Sequence, residues 1–380
     1  MIFNSKLPNV GTTIFTTMSN LAKKHNAINL SQGFPNFNSD QKLVDLVVKA
    51  MNSDYNQYAP MLGSLPLREA IANKFYNLYK AKYNPENEIV ITCGATQAIY
   101  TVISAFIHKD DEVILFKPAY DCYEPAITVN GGKSVAIQLN YPDYKVDWKL
   151  VESNVNQKTK MIIINTPQNP CGTIFSKKDM LALERITKNT DIIVLSDEVY
   201  EHMVFDNKTH QSACLFPDLK DRTLITASFG KTFHNTGWKL GYCCGPDELM
   251  KEFIKVHQFN VYSVNHPTQI AIAAYMVDES TYNGLPDFFQ QKRDLFLNAI
   301  QNSRFKWKPT QATYFQVLDY SEITNEFDVD YAKRLTIEKG IASIPLSVFN
   351  DNRLDEKVLR LCFAKTDETL LKAAEILNTI

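Results

Sequence analysis

The sequence predicts an α/β fold with a mostly parallel sheet covered by helices on both faces. Two observations lead there. Five short runs, at 88–92, 112–116, 161–165, 191–196 and 223–227, are β-branched or continuously apolar, as strands buried on both faces are. Helical patterns alternate with them along the chain, which is the order of repeated strand–helix–strand units. A length of 380 residues suits two sub-domains sharing a core.

Taken in order, 16–24 reads as a short helix and 27–37 as extended chain. Gly33, before Phe34-Pro35, marks either a tight turn approaching a ligand or an ordinary loop. Helices at 39–51 and 65–79 flank an aromatic, turn-rich loop at 56–63. The strand at 88–92 feeds Cys93-Gly-Ala-Thr-Gln97 and a long apolar helix to 107. The strands at 112–116, 161–165, 191–196 and 223–227 follow, and 240–244 is a further apolar β-type run. Beyond Gly284-Leu-Pro286 the order changes to a helix at 285–302, strands at 314–318, 341–345 and 358–363, and helices at 328–339 and 368–380. This divides the chain into a large domain, 41–284, and an N-terminal arm with a small α+β domain, 1–40 and 285–380.

Composition excludes several classes. A net charge of −2 gives no sign of a nucleic-acid or anionic-membrane partner. No run reaches the roughly 18 apolar residues of a membrane helix. Met1-Ile-Phe-Asn-Ser-Lys-Leu-Pro8 lacks the apolar centre of a signal peptide. The 7 cysteines show no C-x-x-C spacing, so neither a zinc site nor a disulfide framework is expected. A reduced cytoplasmic enzyme is the default.

The polar and aromatic residues Thr96, Tyr120, Asn169, Asp197 and the pair Ser228/Lys231 all fall just past the C-terminal ends of these strands. In an open α/β sheet those ends line one edge, where ligands bind. Alone, Ser228-Phe-Gly-Lys231 is more often a solvated loop than a site. Five suitable groups at five strand ends favour a shared pocket. Pyridoxal phosphate would use all of them. Lys231 offers an amine for a Schiff base and then for proton transfer, which needs a lowered pKa. Asp197 would keep the ring nitrogen protonated. Asn169 and Tyr200 offer donors to the ring oxygen, and Tyr120 offers a face to stack on. Ala95, Thr96, Ser228 and Lys239 offer backbone N–H groups, hydroxyls and a cation to the phosphate. Glu198, next to Asp197, should point to the opposite side. Arg360, inside the apolar run 358–363, is either a structural ion-pair partner or a clamp for a substrate carboxylate.

These residues sit in strings that carry a resemblance: Leu30-Ser-Gln-Gly-Phe-Pro35, Asn56-Gln-Tyr-Ala-Pro60, Gly94-Ala-Thr96, Asn165-Thr-Pro-Gln-Asn-Pro170, Ser196-Asp-Glu-Val-Tyr-Glu-His202, Ser228-Phe-Gly-Lys-Thr232, Thr236-Gly-Trp-Lys239, His257-Gln258 with Ser263-Val-Asn265, and Arg360-Leu-Cys-Phe-Ala-Lys365. In this order the chain resembles, over nearly its whole length, the class I/II, fold-type I pyridoxal-phosphate aminotransferases. The likeness is strongest to bacterial methionine aminotransferases related to kynurenine/glutamine aminotransferases. The resemblance implies a seven-stranded, mostly parallel sheet and the roles already given to Tyr120, Asn169, Asp197, Tyr200, Ser228, Lys231, Lys239 and Arg360. It further implies an obligate homodimer in which Tyr58 reaches the partner's cofactor phosphate. Gly33 would offer its backbone to the substrate carboxylate, and Phe15 and the partner's Tyr262 would border the side-chain pocket. Cys171 departs from the Ser or Thr usual after Asn169-Pro170, a change between small residues.

The aromatic residues Phe15, Phe34, Tyr120 and Tyr262 suit methionine or aromatic side chains, and no arginine stands out as a second carboxylate clamp. The expected activity is therefore transfer of an amino group from methionine and other large neutral or aromatic amino acids to a 2-oxo acid, without a metal. A β-C–S lyase acting on cystathionine, or a broader kynurenine/glutamine aminotransferase, would share the same lysine, aspartate and arginine. An effector-binding domain of this fold would need an N-terminal DNA-binding domain, for which 1–40 is too short.

Overall fold

Alternation of apolar strands with helices produces the expected layered architecture in a computed structural model, which describes residues 4–380. The first three residues, part of the stretch read above for a targeting signal, lie outside the described residues. The strands are β1 (Ile28–Asn29), β2 (Ile89–Thr92), β3 (Glu112–Lys117), β4 (Lys133–Gln138), β5 (Thr159–Asn165), β6 (Ile193–Asp197), β7 (Thr223–Ser228), β8 (Gly241–Cys244), β9 (Phe315–Asp319), β10 (Ile341–Ala342), β11 (Ile344–Pro345) and β12 (Val358–Cys362).

The main sheet has seven strands in the order β2-β8-β7-β6-β5-β3-β4. All neighbours are parallel except at β8, which runs against both β7 and β2. Its central strands are buried along their length, as the apolar runs require. Thus Ile162, Ile164, Val194, Ile225 and Ile91 face one core, and Met161, Ile163, Leu195, Leu224 and Val90 the other. The helix Gly94–Phe106 covers this second face with Ala98, Ile99, Val102, Ile103 and Phe106. β4 escapes the sequence pattern because it is an edge strand with partly exposed residues.

The register sets the heights of the strand ends. Asn165 pairs with Asp197, and Asp197 with Thr226. On the other side Ser228 pairs with Gly241, and Gly241 with Thr92. The chain leaves β2, β5, β6 and β7 along one edge.

The second unit is a three-stranded antiparallel sheet, β11-β12-β9, with Arg360 at the middle of the central strand. The run 341–345 divides at Ser343. β10 pairs in parallel with β1 of the N-terminal arm, whereas β11 joins β12. The N-terminal arm thereby touches the C-terminal third of the chain.

Candidate active site

The edge of the main sheet holds a cavity of about 140 Å³ lined by Gly94, Ala95, Thr96, Tyr120, Asn165, Asn169, Asp197, Tyr200, Ser228, Lys231 and Lys239. It opens beside a cleft of about 1000 Å³ bordered by Phe15, Thr96, Tyr120, Val348 and Phe349.

Lys231 lies on the single turn Phe229–Thr232 that follows β7. Its Nζ donates to the carbonyl of Gly33 at 3.0 Å. Burial lowers its pKa to about 8, with the nearby Arg360 and Lys239 cations acting in the same direction. Gly33 does not form a positive-φ turn. It is small because a Cβ there would lie 2.8 Å from the Phe315 ring. The Tyr314 hydroxyl also donates to the Gly33 carbonyl, at 2.6 Å.

Asp197 ends β6 and is 3% exposed. Burial raises its carboxyl to about 6, against the pull of hydrogen bonds from the Tyr123 hydroxyl and the Val199 N–H. Glu198 points to the other side of the sheet, accepting from Ser196 and Ala213 and pairing with His210. There too Glu201 is ion-paired with Lys74 and accepts from the Tyr79 hydroxyl, which anchors the turn carrying Tyr200.

Asn169 and Arg360 meet although 191 positions separate them: Nη1 of Arg360 donates to Asn169 Oδ1 at 2.8 Å. Nη2 donates to the Ser31 carbonyl at 2.8 Å. The guanidinium lies 3.9 Å over the Phe315 ring and 5.3 Å from that of Phe15. It is 1% exposed, pairs with no carboxylate among the described residues, and its buried Nε has no partner there.

At the opposite end, the helix Gly94–Phe106 starts without a side-chain cap, at Gly94 with φ +73°. The N–H groups of its first turn are therefore not consumed by a capping side chain. Lys239 approaches this turn; a Cβ on Gly94 would lie 3.4 Å from its Nζ.

Tyr58 and Tyr262 are not part of this cavity. They are 81% and 53% exposed and meet edge-on at 5.6 Å on the surface. Two residues that the strand-end pattern does not single out belong to the site. Asn165 Nδ2 donates to the Asp197 carbonyl at 2.9 Å, and its Oδ1 accepts from the Asn169 N–H at 2.8 Å, clamping two strand ends together. Tyr123 donates to Asp197 Oδ2 at 2.6 Å. Asn165 closes an apolar run and was legible only as its last residue; Tyr123 sits on a helix and carries no local signal.

The arrangement offers an anion cradle at one end, a buried carboxylate at the other, an easily deprotonated amine between them and an arginine with a donor to spare. The family model for aminotransferase class I and II matches residues 25–377. Methionine aminotransferase of Escherichia coli is 45% identical, over 100% of this chain and 99% of its own. Human kynurenine–oxoglutarate transaminase 3 is 33% identical, over 98% of this chain and 89% of its own. The structure of YbdL from Escherichia coli, described as identifying a methionine aminotransferase function, matches with a TM-score of 0.98 at 45% identity and covers 100% of both chains.

Proposed function

The chain belongs to the class I and II aminotransferases and is an aminotransferase; from that premise we propose that its cofactor is pyridoxal phosphate and its donors are methionine and other large neutral or aromatic L-amino acids. A 2-oxo acid is the acceptor, in a ping-pong reaction. For the cofactor, the observation that carries this reading is a buried, readily deprotonated lysine and a buried arginine with an unused donor, both at one site. For the donor, it is 45% identity along the whole chain to a methionine aminotransferase, together with the aromatic wall of the cleft.

The residues fit the cofactor. Ala95, Thr96, Ser228 and Lys239 would hold its phosphate at the uncapped helix start, where Gly94 leaves room for Lys239. Asp197 would face the ring nitrogen and Tyr120 the ring. Because Asn169 accepts from Arg360 through Oδ1, its Nδ2 is the end left to donate, alongside the Tyr200 phenol. When bound, pyridoxal phosphate supplies an electron sink for the pair left behind when a Cα proton is removed.

The protein's own groups do the rest. Arg360 binds the substrate carboxylate through its fork, and Gly33 borders it. Phe15 and Phe315 keep water from the guanidinium. Lys231 Nζ would hold the cofactor, and as a free amine it would take the Cα proton. A value near 8 keeps a useful fraction of the amine neutral at working pH.

The exposed aromatic pair Tyr58 and Tyr262, with Phe259 beside Tyr262 in sequence and 87% exposed, supports a homodimer in which a second copy covers this surface. Tyr58 would then complete the partner's phosphate site and Tyr262 its side-chain pocket. The proposed division into 41–284 and 1–40 with 285–380 is supported by the pairing of β1 with β10. The cysteines are all free thiols, which supports a cytoplasmic location; among the described residues no helix is long and apolar enough to cross a membrane.

The test is a donor–acceptor panel with the purified protein and its Lys231→Ala variant. We expect visible absorbance that borohydride alters and Lys231→Ala abolishes, and oxo-acid formation from methionine only when a 2-oxo acid is added. Pyruvate and ammonia released from cystathionine without an acceptor, with no oxo acid formed from methionine, would refute methionine as the donor and favour the β-C–S lyase.

A further inference from the structure

Tyr123 opens the short helix Tyr123–Val129 after β3 and is 2% exposed. Its hydroxyl donates to Asp197 Oδ2 at 2.6 Å. Its ring meets that of Tyr120 edge-on, with centroids 5.9 Å apart. The string Tyr120-Asp-Cys-Tyr123 thus delivers one ring to the cavity wall and one hydroxyl to the carboxylate. Tyr123 is the one side chain among the described residues that hydrogen-bonds the Asp197 carboxylate. The other bond to that carboxylate is the Val199 N–H, at 3.3 Å.

We propose that Tyr123 is a positioning residue that holds Asp197 ionised and Tyr120 in place, and so sets the protonation of the ring nitrogen on the bound cofactor. The inference rests on the cofactor proposed above. A phenol donating to a carboxylate favours the ionised form, since a charge-assisted hydrogen bond is stronger than a neutral one. Asp197 needs that help because burial alone pushes its carboxyl up toward neutrality. The other groups that face it act in both directions. Lys231, from the turn after β7, favours the charge, and Glu198, next in the chain, opposes it. Cys122 and Tyr120 from the loop after β3, and Tyr200 from the turn after β6, are neutral because burial raises all three. With the hydroxyl removed, only the Val199 N–H and Lys231 remain to keep the carboxylate charged.

Tyr123→Phe deletes the hydroxyl and keeps the ring against Tyr120. The holoenzymes of wild type and Tyr123→Phe are loaded with pyridoxal phosphate labelled with nitrogen-15 in the ring and titrated with pH. We expect the ring nitrogen of Tyr123→Phe to lose its proton about one pH unit or more below wild type. We expect kcat near neutral pH to fall about tenfold, which corresponds to that shift, with the KM for methionine little changed. Superimposable nitrogen-15 titrations would overturn the proposal, even if kcat fell, because Tyr123 would then act through packing alone. A wild-type protein that takes up no labelled cofactor would overturn this inference and the cofactor assignment together. A loaded wild type with an unchanged Tyr123→Phe overturns this inference alone.

Discussion

Consider Asp197→Asn in the protein stripped of cofactor. The carboxyl is buried at the end of β6, and its folded value of about 6 stands above an ordinary 3.8. The folded state therefore binds this proton more tightly than the unfolded chain does. Stability attributable to the group falls as pH rises through the window from 3.8 to about 6, and the loss is complete above it. At pH 8 the ionised carboxylate costs about 3 kcal/mol, and at pH 5 about half as much. Asparagine removes the charge, keeps an acceptor for Tyr123 and leaves an amide donor short of a partner, which returns about 1 kcal/mol. The net gain should be about 2 kcal/mol at pH 8 and less than about 1 kcal/mol at pH 5. The assay is urea unfolding of wild type and variant at both pH values without cofactor, because a bound ligand would add its own stabilisation. The reconstituted variant should turn over methionine on the order of 10²–10³-fold more slowly. A variant no more stable than wild type at pH 8, or equally stabilised at both pH values, would refute the charge-burial reasoning.

Two further outcomes follow from the same site. In the cofactor-free protein, the rate at which an amine reagent modifies Lys231, read by peptide mass spectrometry, should rise with pH around a midpoint near 8; a midpoint above 10 would mean the amine is not held in a desolvated, cationic setting. Arg360→Ala should raise KM for all amino-acid donors alike by about 100-fold or more, the worth of a lost bidentate charge-assisted contact, and Arg360→Lys should recover only part of it. Steady-state kinetics with methionine and phenylalanine decide this, and an effect confined to one donor would remove the carboxylate role.

What the sequence made legible was local. Fully apolar strands such as β5 and β6 stand out because both faces are buried, and the groups just beyond them share an edge by topology alone. β4 was hidden because an edge strand keeps exposed residues. The reversal of β8 was hidden because a run of apolar residues carries no direction. Ile341 to Pro345 looks like one strand because nothing in its side chains records that the two halves choose different partners. At the site, Asp197 and Asn169 are marked by their places at strand ends. Asn165 and Tyr123 are marked only by what they touch, 32 and 74 positions away. The surface pair Tyr58 and Tyr262 shows the same limit from outside, because aromatic exposure becomes interpretable only in three dimensions.

The Lys231–Gly33 bond spans 198 positions and the Arg360–Ser31 bond 329. The strands β5, β6 and β7, by contrast, join neighbours in sequence. During folding the sheet can therefore assemble from nearby segments while the chain's two ends are still apart, because closing longer loops costs more entropy and delays the contacts they make. The contacts that complete the substrate site are among those with the longest loops to close. A partly folded chain can hold most of its regular structure and still be unable to recognise an amino acid.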